Sequence, residues 1–487
     1  MRRATAVLAV TLLATGCGVI GGSDARFDRS APSVTSSTGG TPSDQSPGPG
    51  SSPGSSPGSG AAGDCPTSYA EPDPNRPRIR LSFELSADMT SVTGTEHVDF
   101  TPDLPIREMV FRLTANTAPS VDMGNSIKIQ SATATPDGQP FRIDRAGAGA
   151  GTQGGLLVLP LGREVPAGQQ VSADVAFTLK LGNGAFDRFG RVDQYAWWGS
   201  GQPLLAWERG VGWHTEPLLQ FTAESATSEA AQIDLTVTAP ARYTVLSSGV
   251  ADQPADAGTG RRRWHAIADR ARDVSVAVGP FSVKEQTVAG TRLIVGVPAD
   301  QQPAELVRQH SRALRELTKR FGPFPFPVLT VARLPIGGGG IEYPGSILML
   351  ADDPLVAVHE TAHQWFYGMI GDSQARDPWL DEAFATYAEQ LVNNDGQPGA
   401  VNLADRVGGS MQDFGADSGR YYSTVYAKGS AALAAARTAA GPDRFDAALR
   451  CYVNRNAWRI ARPTDLATAL SGLPAAVAVL RKAGALP

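Results

Sequence analysis

The chain has 487 residues, 42% of them hydrophobic, with three cysteines and a formal charge of −5 at neutral pH. That length is enough for two or three domains with a sizeable core. The mild negative balance, with no basic run beyond Arg261, Arg262 and Arg263, excludes nucleic acid as the expected partner.

In chain order, Arg2 and Arg3 precede an apolar stretch from Ala6 to Ala14. The stretch is too short to span a bilayer and long enough for the hydrophobic part of a signal peptide. The run LATGC, ending at Cys17, resembles the lipobox of bacterial lipoproteins. The resemblance implies a signal peptide over 1–17, a lipid on Cys17, and an exported protein anchored on the outer face of the cell membrane. An ordinary secretory signal is the alternative. Residues 18–65 form the expected linker, because the Gly, Ser and Pro that dominate it bury too little apolar surface to fold. Cys65 and Cys451 are an even pair in a chain read as exported, which points to a disulfide, with two unpaired thiols as the alternative.

Residues 66–285 read as a β domain. Ile79, Leu81, Phe83 and Leu85 alternate with polar residues, as do Val171, Ala173, Val175, Phe177, Leu179 and Leu181, and again Ile233, Leu235 and Val237. Period-two runs between Gly, Asp and Pro breaks are the pattern of half-buried antiparallel strands. From 286 to 487 the pattern turns α-rich. TRLIVGVP is strand-like, Leu306, Leu314 and Leu317 recur at helical spacing until Gly322, FPFPVLTVARLP is strand-like again, and helical periodicity dominates from Pro354 onward.

The segment AVHETAHQWFYG lies in this second part. Asp352 or Asp353 can cap a helix there, Pro354 suits its first turn, and Gly371 is the expected stop. His359 and His363, four residues apart, project from one helical face, as two imidazoles sharing a metal ion require. Glu360 is rotated off that face, where a base acting on an attacking water belongs. A third ligand is needed. Glu382, 19 residues after His363, lies among Trp379, Leu380, Phe384 and Tyr387, where a buried carboxylate is costly unless paired or metal-bound. Asp381 and Glu389 are neighbouring alternatives.

HETAHQWF together with WLDEAFATYAE resembles the His-Glu-x-x-His-x18-Glu signature of the gluzincins, and within them the M1 family of zinc metallopeptidases. Two further stretches stand at that family's relative positions: GGGIEYPG upstream and YAKGSAAL downstream. The resemblance implies a multidomain α+β protein, with an N-terminal antiparallel saddle-like β domain followed by a thermolysin-like catalytic domain. It implies one zinc ion on His359, His363 and Glu382, and Glu360 as general base. It also implies Tyr426 as donor to the oxyanion, Glu342 as anchor for a substrate's free α-amine, and the backbone at Gly339 and Gly340 as an edge along the peptide substrate. Ile341 and Tyr343 replace the Met and Asn of the family's motif. Glu208 is the candidate for a second amine anchor, with a plain strand-end carboxylate as its alternative. The given sequence closes at Pro487 without the large helical domain that caps the cleft in many members, so a more open cleft is expected.

Three functions follow. The first is an aminopeptidase that trims peptides one residue at a time. The second is an endopeptidase working through an open cleft. The third is an envelope lipoprotein with an inactive site, whose work is to bind a partner.

Overall fold

The computed structural model describes residues 65–487, apart from 186–187, 222 and 224–226. The expected signal segment, Cys17 and the linker up to residue 64 lie outside the described residues. Residues Cys65–Pro487 form one compact unit. Among the described residues no helix is long and apolar enough to cross a membrane.

The first half is a large twisted sheet built by the alternation read in the sequence. In Arg78–Leu85 every second residue is buried, so Ile79, Leu81, Phe83 and Leu85 face inward. This strand pairs antiparallel with Ser91–Phe100, which continues to Val171–Lys180 and Ser126–Thr135. On its other side it pairs with Ala231–Pro240, and there the register, Leu81 opposite Leu235, is parallel. The β domain is therefore antiparallel with one parallel junction, which period-two alternation alone cannot distinguish. A four-stranded sheet lends Met109, Phe111, Leu157 and Leu159 to the same apolar core.

The second half opens with a five-stranded sheet ordered Phe281–Val288, Thr291–Pro298, Val328–Arg333, Ser346–Met349, Gly340–Tyr343. It begins at Phe281, ahead of the boundary expected at 285. The helix Ala304–Phe321 connects two parallel strands of this sheet, the ordinary crossover for parallel neighbours. Gly340–Tyr343 lies at the edge, paired only with Ser346–Met349, with Glu342 opposite Ile347. Beyond the sheet come the helices Pro354–Ala362, Trp379–Asn393, Gly429–Ala440 and Pro442–Asn456. A single apolar core, including Trp365, Trp379, Phe384 and Tyr387, joins them to the sheet.

The start of this unit is tied to its helical part. Cys65 and Cys451 are disulfide-bonded across 386 residues of sequence. Beside them the Ala70 amide donates to the Asn454 carbonyl at 2.8 Å, and Trp365 Nε1 donates to the Tyr69 hydroxyl at 3.1 Å. Tyr69 and Ala70 pack on the helical core before the chain enters the β sheet.

Candidate metal-dependent active site

Asp353 caps the helix Pro354–Ala362, its side chain accepting the Leu355 amide at 2.7 Å. The helix ends at Ala362 with His363 as its C-cap, not at Gly371 as the sequence suggested. After it the chain makes a tight turn in which the Tyr367 amide bonds the Ile370 carbonyl at 2.7 Å and Tyr367 takes a φ of 105°. Gly371 has a different role. A Cβ there would stand 2.3 Å from Arg272 of the β domain, whose guanidinium donates to the carbonyls of Ser228 at 2.7 Å and Met369 at 3.2 Å.

His359 and His363 face the Trp379–Asn393 helix. Their Nε2 atoms lie 3.3 Å and 3.4 Å from the same oxygen, Glu382 Oε2. All three ligand atoms fall within 4.8 Å of one another. Behind the rings, His363 Nδ1 is bonded to Asp381, and His359 Nδ1 lies 3.3 Å from Glu389 Oε2. Asp381 and Glu389, the alternatives for third ligand, thus stand at the far nitrogens, and Glu382 is the carboxylate that meets both near ones.

The electrostatics call for positive charge. Burial lowers the pKa of His359, but its bonds to Glu382 and Glu389 outweigh that and carry it to about 9. His363 is likewise opposed by burial and driven well above its usual value by Asp381, Glu342 and Glu382. Burial raises the Glu382 carboxyl, but the two imidazoles outweigh it and hold it well below the usual carboxylate range. A metal cation could take the place of the protons that Glu382 draws onto Nε2, since two imidazole nitrogens and one carboxylate oxygen converge there. Three such protein ligands with a fourth position open make up a catalytic zinc site, and the residues fit that ion.

Glu360 is 5% exposed, and its Oε2 has no hydrogen-bond partner among the described residues. Burial raises its pKa against the pull of the two imidazoles, as befits a carboxyl that must take a proton. Glu342, also buried, contributes an oxygen within 4.8 Å of ligand atoms of Glu360 and His363. The edge strand that carries it is fixed to the histidine segment by Gln364, which accepts the Gly345 amide at 2.8 Å and donates to the Tyr343 carbonyl at 3.1 Å. Gly340 lies against the base itself: a Cβ there would stand 2.4 Å from Glu360 Cγ. At Gly339 the space is open. Tyr426 lies in a π-helical segment, Tyr422–Lys428, its ring parallel to that of His359 at 5.9 Å. Burial and the nearby Glu382 push its hydroxyl pKa well up, so it stays a donor. The structure thus brings His359, Glu360, His363, Glu382, Glu342, Gly340 and Tyr426 together.

Glu208 is not among them. It is bonded to His214 Nε2 at 2.8 Å in the interior and to the exposed Arg462 at 2.9 Å, the latter bond joining the β domain to the helical part. What sequence reasoning missed is the purpose of Asp381, Glu389 and Gln364. Their only signal was that they are polar residues in otherwise apolar helical stretches.

No protein-family model matches the chain, and no curated protein does. Solved structures do. An M1 zinc metallopeptidase from Deinococcus radiodurans superposes with a TM-score of 0.63 at 19% identity, over 84% of this chain and 92% of that one. A mutant of the Deinococcus radiodurans M1 metallopeptidase bound to a Tyr-Ser-Ala substrate gives 0.62 at 20% identity, over 84% and 94%. A two-domain M1 zinc metallopeptidase mutant bound to L-tryptophan gives 0.62 at 18%, over 87% and 97%. The chain has the α+β fold of the M1 zinc metallopeptidases, a β-rich first part followed by a helical second part.

Proposed function

We propose that this protein is a zinc-dependent aminopeptidase, releasing N-terminal residues from peptides outside the cell while held to the membrane by a lipid on Cys17. The observation that carries the reading is the meeting of His359, His363 and Glu382 beside a buried, unpartnered Glu360 oxygen. The fold shared with M1 zinc metallopeptidases, one of them bound to a tripeptide, supports it.

His359, His363 and Glu382 hold the ion. Bound zinc supplies a Lewis acid that polarises the scissile carbonyl and lowers the pKa of water. Glu360 takes the proton of the attacking water and passes it to the leaving amine. The Tyr426 hydroxyl donates to the oxygen on which negative charge develops. Glu342 pairs with the substrate's terminal ammonium, which sets the distance from that amine to the bond that is cut. The free edge of Gly340–Tyr343 runs along the substrate backbone.

A peptide offered with a free N-terminus and again N-acetylated tests the reading. An aminopeptidase shortens only the free form, one residue at a time. Internal cleavage of both forms establishes the endopeptidase alternative. Binding of zinc with cleavage of neither favours the partner-binding lipoprotein.

A further inference from the structure

Adjacent residues on the helix Trp379–Asn393 address opposite sides of one imidazole. Glu382 approaches His363 Nε2 at 3.4 Å, while Asp381 bonds its Nδ1. Successive helical positions are about 100° apart, so two neighbours can bracket a ring in this way. Asp381 is itself held: Gln374 Nε2 donates to its second oxygen at 3.1 Å. His363, Asp381 and Gln374 are all buried, at 1%, 1% and 0% exposure. The other group near Nδ1 is the Phe366 carbonyl at 3.3 Å, also an acceptor. Both neighbours of Nδ1 are acceptors, and holding that edge of the ring turns Nε2 toward Glu382.

His359 is held differently. Its Nδ1 lies 3.3 Å from Glu389, and both side chains are 11% exposed. Glu389 thus stands nearer the surface than Asp381, which is held in the interior.

We infer that Asp381, fixed by Gln374, is the positioning residue that sets the orientation of His363, and that the metal affinity of the site depends on it more than on Glu389. This rests on the zinc reading above. Asp381 touches neither substrate nor metal. It acts through the ring it holds, by keeping Nε2 aimed and by making the ring a better donor.

The test uses the full chain as wild type, Asp381→Asn, Asp381→Ala and Glu389→Gln. Zinc affinity is measured by competition with a chromophoric chelator, and the thermal midpoint is measured on each metal-free protein. Asp381→Asn keeps the size and one acceptor oxygen. It is expected to weaken zinc binding about 10- to 100-fold, with Asp381→Ala weaker still and Glu389→Gln weakened less than Asp381→Asn. The metal-free midpoint of Asp381→Asn should match wild type, which a merely structural role would not allow. Wild-type affinity in both Asp381 variants overturns the inference, as does a loss in Asp381→Asn that is matched by a fall in its metal-free midpoint. A wild-type protein that binds no zinc overturns the zinc reading itself, and is recognised by failing before any variant is compared.

Discussion

Replacing Gly340 with alanine should damage catalysis without touching the metal. The added Cβ would stand 2.4 Å from Glu360 Cγ, 2.6 Å from its Cδ and 2.8 Å from Oε1, where ordinary contact begins at 3.4 Å. Glu360 is buried against the strand, so relief requires the carboxyl or the edge strand to move by about 1 Å. A displacement of that size at a reacting group costs roughly 100-fold in rate, or about 2.7 kcal/mol of transition-state stabilisation. The three atoms nearest that Cβ all belong to Glu360, none to His359, His363 or Glu382. Gly339→Ala separates the two effects, since its methyl meets no protein atom within 4 Å and can hinder only a substrate along the edge. Steady-state kinetics with a free-amine peptide, alongside zinc content, reads the outcome. Gly340→Ala should lose kcat at full zinc occupancy, whereas Gly339→Ala should mainly raise KM. Equal kcat in Gly340→Ala and wild type would refute the placement of Glu360 as base.

Two further predictions concern stability. Glu96 is 2% exposed within the β-domain core, neither of its oxygens has a partner among the described residues, and burial together with Asp273 raises its pKa well above 4.5. With the folded pKa raised, its contribution is intact below the unfolded value and is lost as pH rises toward the folded one. Glu96→Gln should therefore gain on wild type by up to ~1.4 kcal/mol per pH unit across that window, starting near pH 4.5, as read by urea unfolding at a series of pH values. Cys451→Ser opens the link to Cys65 across 386 residues and should cost about 2–5 kcal/mol in non-reducing denaturant unfolding, with no change in zinc content.

Much of the site was legible because its chemistry is written at short range. Four-residue spacing places His359 and His363 together on any helix, and Asp353 with Pro354 announces where that helix begins. Glu382 was legible because a carboxylate amid Trp379, Leu380 and Phe384 needs a reason to be buried. The β strands were legible from their alternation, but not the parallel junction of Arg78–Leu85 with Ala231–Pro240, since period two is blind to direction. Gly371 misled for a related reason. Glycine marks a helix stop in sequence, yet here it admits Arg272 from the bend after the strand Arg261–Ala271, a contact that no local pattern encodes. Glu208 ends the short strand Trp207–Glu208, as its alternative reading had it, but its bond to Arg462, far along the chain, is one that no local pattern encodes. The distinction between Asp381, Glu382 and Glu389 depends on which nitrogen of which ring each one meets, and that is settled only when two helices pack.

The central claim is that one zinc ion on His359, His363 and Glu382 works with Glu360 to hydrolyse peptides. Its most direct measurement compares full-length wild type with Glu360→Gln for zinc content and for release of the N-terminal residue from a free-amine peptide, followed by mass. The account predicts one zinc per chain in both proteins, stepwise release by wild type, and a loss of at least about 100-fold in Glu360→Gln. Equal release by both proteins, or none by a wild type carrying its zinc, would contradict it.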